Sequence, residues 1–215
     1  MPWNREGIAK RIASDIQDGW IINIGIGIPT MVPAFLSDKT VLIHSENGIL
    51  GMGPAPAPGQ EDPDLTDAGK KPTSILPGGA FMDSLTSFGL IRGGHLDLSV
   101  MGAYQVSATG DLANWKIPGS RIAAVGGAAD LAVGSQRVWV AMEHTTRDGT
   151  SKVVADCTYP LTAKTAVSRL FTDLAVLDVK QGGLHVVELA PEVSLDELQA
   201  ATDADLEIGV VAPQT

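Results

Sequence analysis

The hydrophobic spacing changes from helical to strand-like near the start of the chain. Ile8, Ile12 and Ile16 recur at intervals of four residues, which predicts a helix with one apolar face. Asn4 is available as its N-cap. The continuous apolar run Trp20–Ile24 then predicts a buried strand. A helix that leads directly into a strand is therefore the first feature expected of the fold.

A glycine-rich turn follows this strand and leads into a second predicted helix. Gly25 and Gly27 permit a sharp change of direction, and Pro29 suits the first turn of a helix that runs to about Leu36. The short apolar run Val41–Ile43 predicts the next strand. The order strand, turn, helix, strand is typical of a parallel sheet covered by helices, so the sequence predicts the α/β class.

Further along the chain, predicted strands and a helix surround one long irregular segment. Gly51–Pro63 is rich in glycine and proline, so we expect an extended surface loop there, of a length that is typical of a lid or binding loop. The other predictions up to position 142 are strands near Ser74–Leu76, Leu96–Met101, Tyr104–Ala108, Ile122–Val125 and Val138–Met142, and a helix over about Met82–Ile91.

The last third of the chain has a different pattern. Leu174–Val179 and Leu184–Glu188 are short apolar segments joined by the four-residue loop Lys180–Gly183, which predicts an antiparallel hairpin. Ser194–Glu197 has the spacing of a capping box, so a helix is expected to begin there and to run to about Ala201. We therefore expect some antiparallel strands toward the carboxyl terminus.

The length and composition fit one globular domain that spans residues 1–215. Acidic residues outnumber basic residues by 25 to 15, and the net charge of −10 argues against binding to nucleic acid. The chain lacks both the run of roughly 18 apolar residues that a membrane span needs and an apolar export signal. The single cysteine, Cys157, cannot form an internal disulfide, so we expect a cytoplasmic protein.

The turn after the first predicted strand resembles part of a dinucleotide-binding fingerprint. Gly25 and Gly27 supply two of its glycines, and Glu46 lies about 20 residues further on, where a ribose-binding acid is expected. Thr30 stands in place of the third glycine, however, and Pro29 stiffens the turn. A dinucleotide-binding module stays open as an alternative, beside the simpler interpretation of a tight strand-to-helix turn.

Glu46 is a candidate for chemistry because it ends a predicted strand. Ligands bind at the carboxyl ends of strands in open α/β sheets. The alternative is an Asn47–Gly48 hairpin with an exposed glutamate. The glycines and the proline of Ile49–Pro54 spoil the alternation that a returning strand needs, so the pattern disfavours a hairpin. Asn47 and Gly48 would instead end the strand abruptly through a positive φ.

Other candidates have simpler explanations when each is taken alone. Gly126 and Gly127 precede a predicted helix, so their amides suit a developing oxyanion, although a close contact between helix and sheet would also explain them. Lys70 and Lys71 lie in a loop, where solvated charges are the simpler interpretation. The four histidines show no metal-ligand spacing, so no metal site is predicted.

Several segments together resemble one enzyme family. They are Asn23–Thr30, Ser45–Gly51, Asp67–Lys70, Phe88–Asp97, Gly110–Trp115, Gly126–Leu131 and Cys157–Thr162. These segments resemble, in the same order, those of family I coenzyme A transferases, in particular the B subunits of 3-oxoacid CoA-transferases. Ser45–Gly51 resembles the catalytic motif of that family. The resemblance extends from about residue 5 to residue 200, and an ordered series of this kind is far more specific than one glycine pattern.

The resemblance implies a fold and a set of site residues. The implied fold is an open, mostly parallel sheet with helices on both faces, of the CoA-transferase or NagB/RpiA-like type. Glu46 is implied to be the nucleophile that accepts CoA, through a mixed anhydride and then a glutamyl-CoA thioester. Gly127 is implied to donate a backbone N–H to the tetrahedral oxyanion. The implied contacts of substrate and CoA are Asn23, Gly25, Gly27, Asn47, Gly48, Lys70 and Gly126.

The same resemblance implies that this chain is half of an enzyme. Its relatives work with an A subunit that completes the CoA site, so we expect the chain to be inactive alone and the assembly to be a heterotetramer or larger. The implied reaction moves CoA from succinyl-CoA to a 3-oxoacid, with 3-oxoadipate slightly favoured over acetoacetate. It needs no metal or redox cofactor. An acyl-CoA hydrolase on the same scaffold is a further alternative.

Overall fold

The computed structural model describes residues 1–120 and 125–208. The helices are α1 (Arg5–Asp15), α2 (Ser84–Arg92), α3 (Ala128–Gly134) and α4 (Leu195–Ala201), with a 3₁₀ helix over Ile28–Phe35. The strands are β1 (Ile21–Ile24), β2 (Leu42–Ser45), β3 (Ile49–Met52), β4 (Ile75–Phe81), β5 (Leu98–Met101), β6 (Gln105–Ser107), β7 (Leu112–Ala113), β8 (Val138–Ala141), β9 (Val153–Val154), β10 (Arg169–Phe171), β11 (Ala175–Lys180), β12 (Gly183–Leu189) and β13 (Leu206–Ile208). The strand expected over Ile122–Val125 lies mostly outside the described residues. No helix in the described ranges combines the length and the apolar character that crossing a bilayer requires.

The main sheet has ten strands in the order β13-β12-β11-β10-β8-β5-β1-β2-β3-β4. Its centre, from β10 to β2, is parallel. The hairpin β11–β12 is antiparallel, as the sequence predicts, and β3 and β4 add a second antiparallel region at the other edge. A smaller sheet has the order β7-β6-β9. The predicted α/β class and the mostly parallel sheet are confirmed.

Helices cover both faces of the main sheet because successive strand residues point to opposite sides. Trp139 of β8 packs into an apolar cluster with Ile12 of α1. The next residue, Val140, packs into a second cluster with Ile91 of α2 and Leu131 of α3. The cores on the two sides hold the parallel strands between them, with their carboxyl ends at one edge of the sheet.

Two helices begin at the residues that the sequence indicates. Asn4 Oδ1 accepts a hydrogen bond from the Gly7 N–H at 2.7 Å at the start of α1. At α4, Ser194 Oγ accepts from the Glu197 N–H at 3.2 Å, and Glu197 Oε2 accepts from the Ser194 N–H at 2.8 Å. Each cap satisfies amides that otherwise lack a partner, which is worth about 1 kcal/mol.

The segment after Glu46 differs from the expectation. β2 and β3 form an antiparallel hairpin in which Ser45 pairs with Ile49, so the argument against a hairpin is wrong. The glycines of this segment count against a strand in the sequence, but they allow β3 to pack closely against β4. Gly51 has φ +81°, and a Cβ there would lie 2.9 Å from Gly79 Cα of β4. An added side chain would push the two strands apart, so glycine is the residue that permits the pairing.

Two further local expectations need correction. The carboxyl-terminal hairpin pairs Lys180 with Gly183, so its loop contains two residues rather than four. Gly182 and Gly183 have φ values of +106° and +126°, which glycine adopts readily. The helix expected to begin at Pro29 is a 3₁₀ helix. Pro33 inside it lacks an N–H and disfavours a continuous α-helix.

Candidate active site

A cleft of about 700 Å³ opens at the carboxyl ends of the central parallel strands. Gly25 follows β1, Glu46 follows β2, Gly102 follows β5 and Met142 follows β8, and all four line the cleft. Parallel strands end at one edge of the sheet, so residues from distant parts of the sequence meet there. The cleft lies where an open α/β sheet commonly binds its ligand.

Glu46 occupies the short turn of the β2–β3 hairpin and is half-buried. Gly48 gives this turn its shape. Its φ is +118°, and a Cβ there would lie 2.2 Å from Met82 O, so a side chain does not fit. The Gly48 N–H donates to Ser45 O at 3.0 Å, and Gly48 O accepts from the Met82 N–H at 2.9 Å. These contacts hold the turn so that the Glu46 carboxylate faces the cleft.

Asn23 brings an amide donor to the Glu46 carboxylate. β1 and β2 are parallel neighbours, and their register places Asn23 opposite His44. Asn23 Nδ2 lies 3.1 Å from Glu46 Oε2 and 3.2 Å from His44 O, and it donates to both. Asn23 is only 1% exposed, so this donor is held in place by its surroundings. The structure thus brings together two residues that the sequence analysis assigns to one site.

Gly127 packs against the Glu46 side chain. It caps α3, and a Cβ built on it would lie 3.4 Å from Glu46 Cγ and 3.3 Å from the Phe88 ring. The absence of a side chain therefore lets the backbone approach the glutamate. The first amides of a helix favour negative charge. Gly126 beside it has φ +53° and also lines the cleft.

His44 and Ser87 lie behind Glu46 and are buried. Ser87 Oγ donates to the main-chain oxygen of Glu46 at 2.9 Å. His44 Nε2 lies 2.9 Å from the same Ser87 Oγ, and His44 Nδ1 lies 3.4 Å from Asn23 Nδ2. Burial lowers the pKa of His44, and the charge of Glu46 acts in the opposite direction. Glu46 is thus connected through hydrogen bonds to both β1 and α2.

A family model described as Coenzyme A transferase matches residues 5–201. The chain belongs to the coenzyme A transferase family. It is 54% identical over 204 residues to the B subunit of 3-oxoadipate CoA-transferase from Pseudomonas putida, covering 94% of this chain and 96% of that protein. It is 45% identical to the B subunit of succinyl-CoA:3-ketoacid coenzyme A transferase from Helicobacter pylori, covering 95% of this chain and 99% of that protein. The resemblance inferred from the sequence motifs is confirmed.

A solved structure shares the fold of this coenzyme A transferase chain. The acyl-CoA transferase YdiF apoenzyme from Escherichia coli O157:H7 matches with a TM-score of 0.77 at 22% identity. The match covers 98% of this chain and 43% of that chain. The expectation of a coenzyme A transferase fold is therefore confirmed as well.

Two further glycines expected at the site of the coenzyme A transferase chain do line the cleft. The Gly25 N–H donates to Val100 O at 2.8 Å, and a Cβ on Gly25 would lie 2.9 Å from that oxygen. Gly27 has φ +97° and precedes the 3₁₀ helix. A dinucleotide fingerprint needs the amino terminus of an α-helix at this point. The 3₁₀ helix therefore argues against the dinucleotide alternative.

Asn47 and Lys70 take positions outside the cleft of this coenzyme A transferase. Asn47 Nδ2 donates to Thr66 O at 2.7 Å, which ties the Glu46 turn to the segment that carries Lys70. Lys70 is exposed and has φ +63°, in a turn closed by its N–H on Asp67 O at 3.0 Å. The neighbouring Lys71 lines the cleft instead. The roles implied for Asn47 and Lys70 stay predictions.

Sequence reasoning missed two cations that line the cleft of the coenzyme A transferase. Arg5 Nε lies 3.4 Å from Glu143 Oε1. Burial lowers the pKa of Lys152, whereas Glu143 and Asp173 act in the opposite direction. Within the described residues, neither carboxylate is within ion-pair distance of the Lys152 ammonium. Only the topology brings these residues to the cleft, so no local motif indicates them.

Ser87 was also missed, although the sequence contained a signal for it. Ser87 and Ile91 are one helical turn apart on the predicted helix, and both are buried in α2. A serine on the apolar face of a helix needs a hydrogen-bond partner inside the protein. That partner is the Glu46 turn. In residues 1–120 and 125–208, no group of three or more His, Cys, Asp or Glu side chains is placed to hold a metal ion.

Proposed function

We propose that this chain is the B-type subunit of a CoA-transferase in which Glu46 carries CoA between donor and acceptor acids. The observation that supports this most directly is the position of Glu46. Its carboxylate accepts a hydrogen bond from the Asn23 amide, and its Cγ packs against the Gly127 backbone, at the carboxyl ends of parallel strands. A half-buried carboxylate with fixed donors is less hydrated than a surface carboxylate and therefore a better nucleophile.

The first half-reaction transfers CoA to the protein. A Glu46 carboxylate oxygen attacks the thioester carbonyl of succinyl-CoA, and the tetrahedral adduct collapses by breaking the C–S bond. The products are a mixed anhydride on Glu46 and free CoA thiolate. The thiolate then attacks the Glu46 carbonyl of the anhydride, succinate leaves as a carboxylate, and a glutamyl-CoA thioester remains.

The second half-reaction repeats these steps in reverse with the acceptor. The carboxylate of a 3-oxoacid attacks the glutamyl thioester and expels CoA thiolate, which then attacks the acceptor carbonyl of the new anhydride. Glu46 is released as a carboxylate, and the acceptor leaves as its CoA thioester. Two successive half-reactions on one residue predict ping-pong kinetics.

Each tetrahedral step places negative charge on an oxygen beside Glu46. The Asn23 amide donates to the Glu46 carboxylate, and we infer that the Gly127 N–H, whose backbone packs against Glu46 Cγ, is the second donor. One donor aimed at such an oxyanion is worth about 3 kcal/mol, or a factor of about 100 to 1,000 in rate. The two donors belong to β1 and to the start of α3, so the packed core keeps them in place.

We further propose that the acids exchanged are dicarboxylates. Lys152 lines the same cleft as Glu46, is partly buried and lacks an ion-pair partner among the described residues. Its ammonium is suited to bind a second carboxylate at the far end of the acyl group. Succinyl-CoA and 3-oxoadipate carry such a group and acetoacetate does not. The 54% identical relative is named as a 3-oxoadipate enzyme, which supports the same preference.

The proposal includes an A-type partner subunit that completes the CoA site. The relatives at 54% and 45% identity are both named as B subunits. The negative net charge of −10 also favours a second chain that supplies basic groups for the phosphates of CoA. We infer a heteromer, with a heterotetramer as the smallest expected assembly.

The test is to co-express the chain with an A-type subunit and to detect CoA on Glu46 by mass spectrometry after incubation with succinyl-CoA. We expect the adduct in the unmodified complex and none in Glu46→Gln, which also loses transfer to 3-oxoadipate. Glu207→Gln is the matched control, because Glu207 is exposed on β13 at the opposite edge of the sheet.

The same assay separates transfer from hydrolysis. Formation of the acceptor thioester should depend on the acceptor acid, with no steady release of free thiol in its absence. Steady thiol release without acceptor would identify the hydrolase instead. Transfer activity retained by Glu46→Gln would refute the proposed mechanism.

A further inference from the structure

Three buried polar side chains connect Glu46 to the elements around it. Asn23 on β1, His44 on β2 and Ser87 on α2 have exposures of 1%, 1% and 0%. Asn23 contacts the carboxylate of Glu46, and Ser87 contacts its main-chain oxygen. His44 lies between the two, with one ring nitrogen near each. The direction of each hydrogen bond among these side chains can be worked out from the number of available protons.

The Asn23 amide fixes the proton on one side of the ring. Its Nδ2 lies 3.4 Å from His44 Nδ1 and can only donate, so Nδ1 must keep its lone pair in the neutral ring. The ring proton is then on Nε2, which donates to Ser87 Oγ at 2.9 Å. Ser87 in turn donates its one proton to the Glu46 main-chain oxygen at 2.9 Å, which can only accept.

The lone pair of His44 Nδ1 faces the Asn23 amide. Asn23 Nδ2 lies 3.4 Å from Nδ1, 3.2 Å from His44 O and 3.1 Å from Glu46 Oε2. His44 O and Glu46 Oε2 can only accept, so the NH₂ group must point toward them, and its two protons are shared among the three contacts. The flipped amide would place its oxygen against the same three acceptors. The ring thus helps to keep the donor of Asn23 directed at the Glu46 carboxylate.

We propose that His44 is a positioning residue, whose neutral Nε2–H ring orients Ser87 on the main chain of Glu46 and Asn23 on its carboxylate. The main-chain oxygen and the carboxylate of Glu46 are thereby both held through a single imidazole, which need not touch the substrate. The inference rests on the proposed function, because it assumes that Glu46 is the nucleophile. It adds a residue and a protonation state that the reaction itself does not require.

Protonation of His44 would disturb this arrangement. A proton on Nδ1 would face the N–H groups of Asn23, so the amide would turn and withdraw its donor from Glu46. The groups that face the ring are Asn23 from β1, Ser87 from α2 and the Glu46 carboxylate, which is the one titratable group among them. Burial lowers the pKa of His44, which keeps the ring neutral at neutral pH. Activity should therefore fall as the pH decreases below 6.5, the usual value for histidine.

The kinetic test uses the complex with its A-type subunit and five variants. His44→Leu and Ser87→Ala should each lower kcat by about 10- to 100-fold, since a small displacement of a reacting group has an effect of that size, with KM for succinyl-CoA unchanged. The double variant should be no slower than the slower single variant, because both remove the same connection. His44→Gln keeps a donor for Ser87 and should recover most of the rate without the acid-side decrease. The control His144→Gln alters another buried histidine and should leave kcat unchanged.

Several results would overturn the inference while leaving the proposed function intact. One is formation of the Glu46 adduct at the same rate in the unmodified complex and in the His44→Leu complex. Another is additive losses in the double variant. If His44→Leu fails to assemble, Ser87→Ala removes only one oxygen atom and still tests the connection. Histidine ¹⁵N chemical shifts add a readout independent of activity, and a proton on Nδ1 of His44 would contradict the inference. A complex without any Glu46 adduct would instead refute the proposed function.

Discussion

His44 and His144 are both buried at the carboxyl side of central strands, and each has polar side chains at both ring nitrogens. His44 contacts Ser87 and Asn23. His144 contacts Thr172 at 3.0 Å and Thr202 at 2.9 Å. Only the first histidine is connected to Glu46. The second joins β8 to β10 and to the end of α4.

The neighbours of His44 constrain its tautomer more strongly than the neighbours of His144 constrain the tautomer of that ring. Thr172 Oγ1 and Thr202 Oγ1 also lie 3.1 Å and 2.7 Å from main-chain oxygens, so each hydroxyl can rotate to donate either there or to the ring. Either tautomer of His144 can then be satisfied. At His44 the Asn23 NH₂ group faces Nδ1 and can only donate, so one tautomer is left. His44 therefore holds its neighbours in one arrangement, whereas His144 does not.

The substitution with the largest expected effect is Asn23→Asp, which tests the difference between the surroundings of His44 and His144. The substitution places a second carboxylate about 3.1 Å from that of Glu46 and removes the amide donor. Like charges at that distance cannot both be ionised, so one carboxyl is protonated and the nucleophile is impaired. We expect kcat to fall about 1,000-fold, or about 4 kcal/mol, measured as acceptor-dependent thioester formation.

The matched change at the other histidine is Thr172→Val. It removes a buried hydroxyl from His144 at nearly constant volume and should lower the free energy of unfolding by about 1–3 kcal/mol. It should leave kcat unchanged, because that network does not reach Glu46. Equal losses of activity in Asn23→Asp and Thr172→Val would mean that the His44 and His144 regions do not differ in their connection to Glu46.

The parts of the fold that the sequence predicts are those with local causes. Asn4 and the Ser194–Glu197 box cap their helices through contacts three residues away, so both helix starts are visible in the sequence. The β2–β3 hairpin was missed because glycine is unfavourable in a strand considered alone. At Gly51 that disadvantage is outweighed by the close approach of Gly79 on β4, which is a tertiary contact.

The residues of the candidate site also divide into those that a local sequence signal predicts and those that only the tertiary structure brings to the cleft. Glu46 and Asn23 could be predicted, because each lies at the end of an apolar strand and a family motif includes it. Lys152 could not, since it lies 106 positions after Glu46 and reaches the cleft only through the order of the strands. Lys70 and Lys71 are adjacent in sequence, yet only Lys71 lines the cleft, and no local pattern distinguishes the two.

The next prediction concerns His144 and the dependence of the free energy of unfolding on pH. Burial, with the charge of Lys152, lowers the pKa of His144 from 6.5 to about 4. Above pH 6.5 the ring is neutral in both states, and its contribution to stability is complete. Between pH 6.5 and about 4 the unfolded chain takes up a proton that folded His144 does not bind, so stability is lost as the pH falls. This one group should account for a loss of about 3 kcal/mol.

The measurement is the free energy of unfolding of the unmodified chain and of His144→Gln, by chemical denaturation across this pH range. Carboxylates affect both proteins equally, so only the difference between them reports His144. We expect the unmodified chain to be the more stable at neutral pH and most of that advantage to disappear near pH 4. A difference that stays constant with pH would show that His144 does not titrate as described.

The smallest of these effects concerns Lys152, which links the His144 region to the cleft. The Lys152 N–H donates to His144 O at 3.0 Å, and its side chain lines the cleft that contains Glu46. If the ammonium binds the distal carboxylate, Lys152→Met should lower kcat/KM for 3-oxoadipate by about 10- to 30-fold, or about 2 kcal/mol. The value for acetoacetate should hardly change, because that acid has no second carboxylate.

Two controls decide whether this effect belongs to substrate binding. Lys180→Met removes an exposed ammonium that pairs with Asp178 at 3.3 Å, away from the cleft, and should change neither value. Lys152→Met should also raise the pKa of His144, because the charge that lowers it is gone. Equal losses for both acids would assign Lys152 to the structure of the cleft. A selective loss for 3-oxoadipate, with the raised pKa, would mean that one lysine serves both regions: it binds the substrate in the first and keeps the histidine of the second neutral.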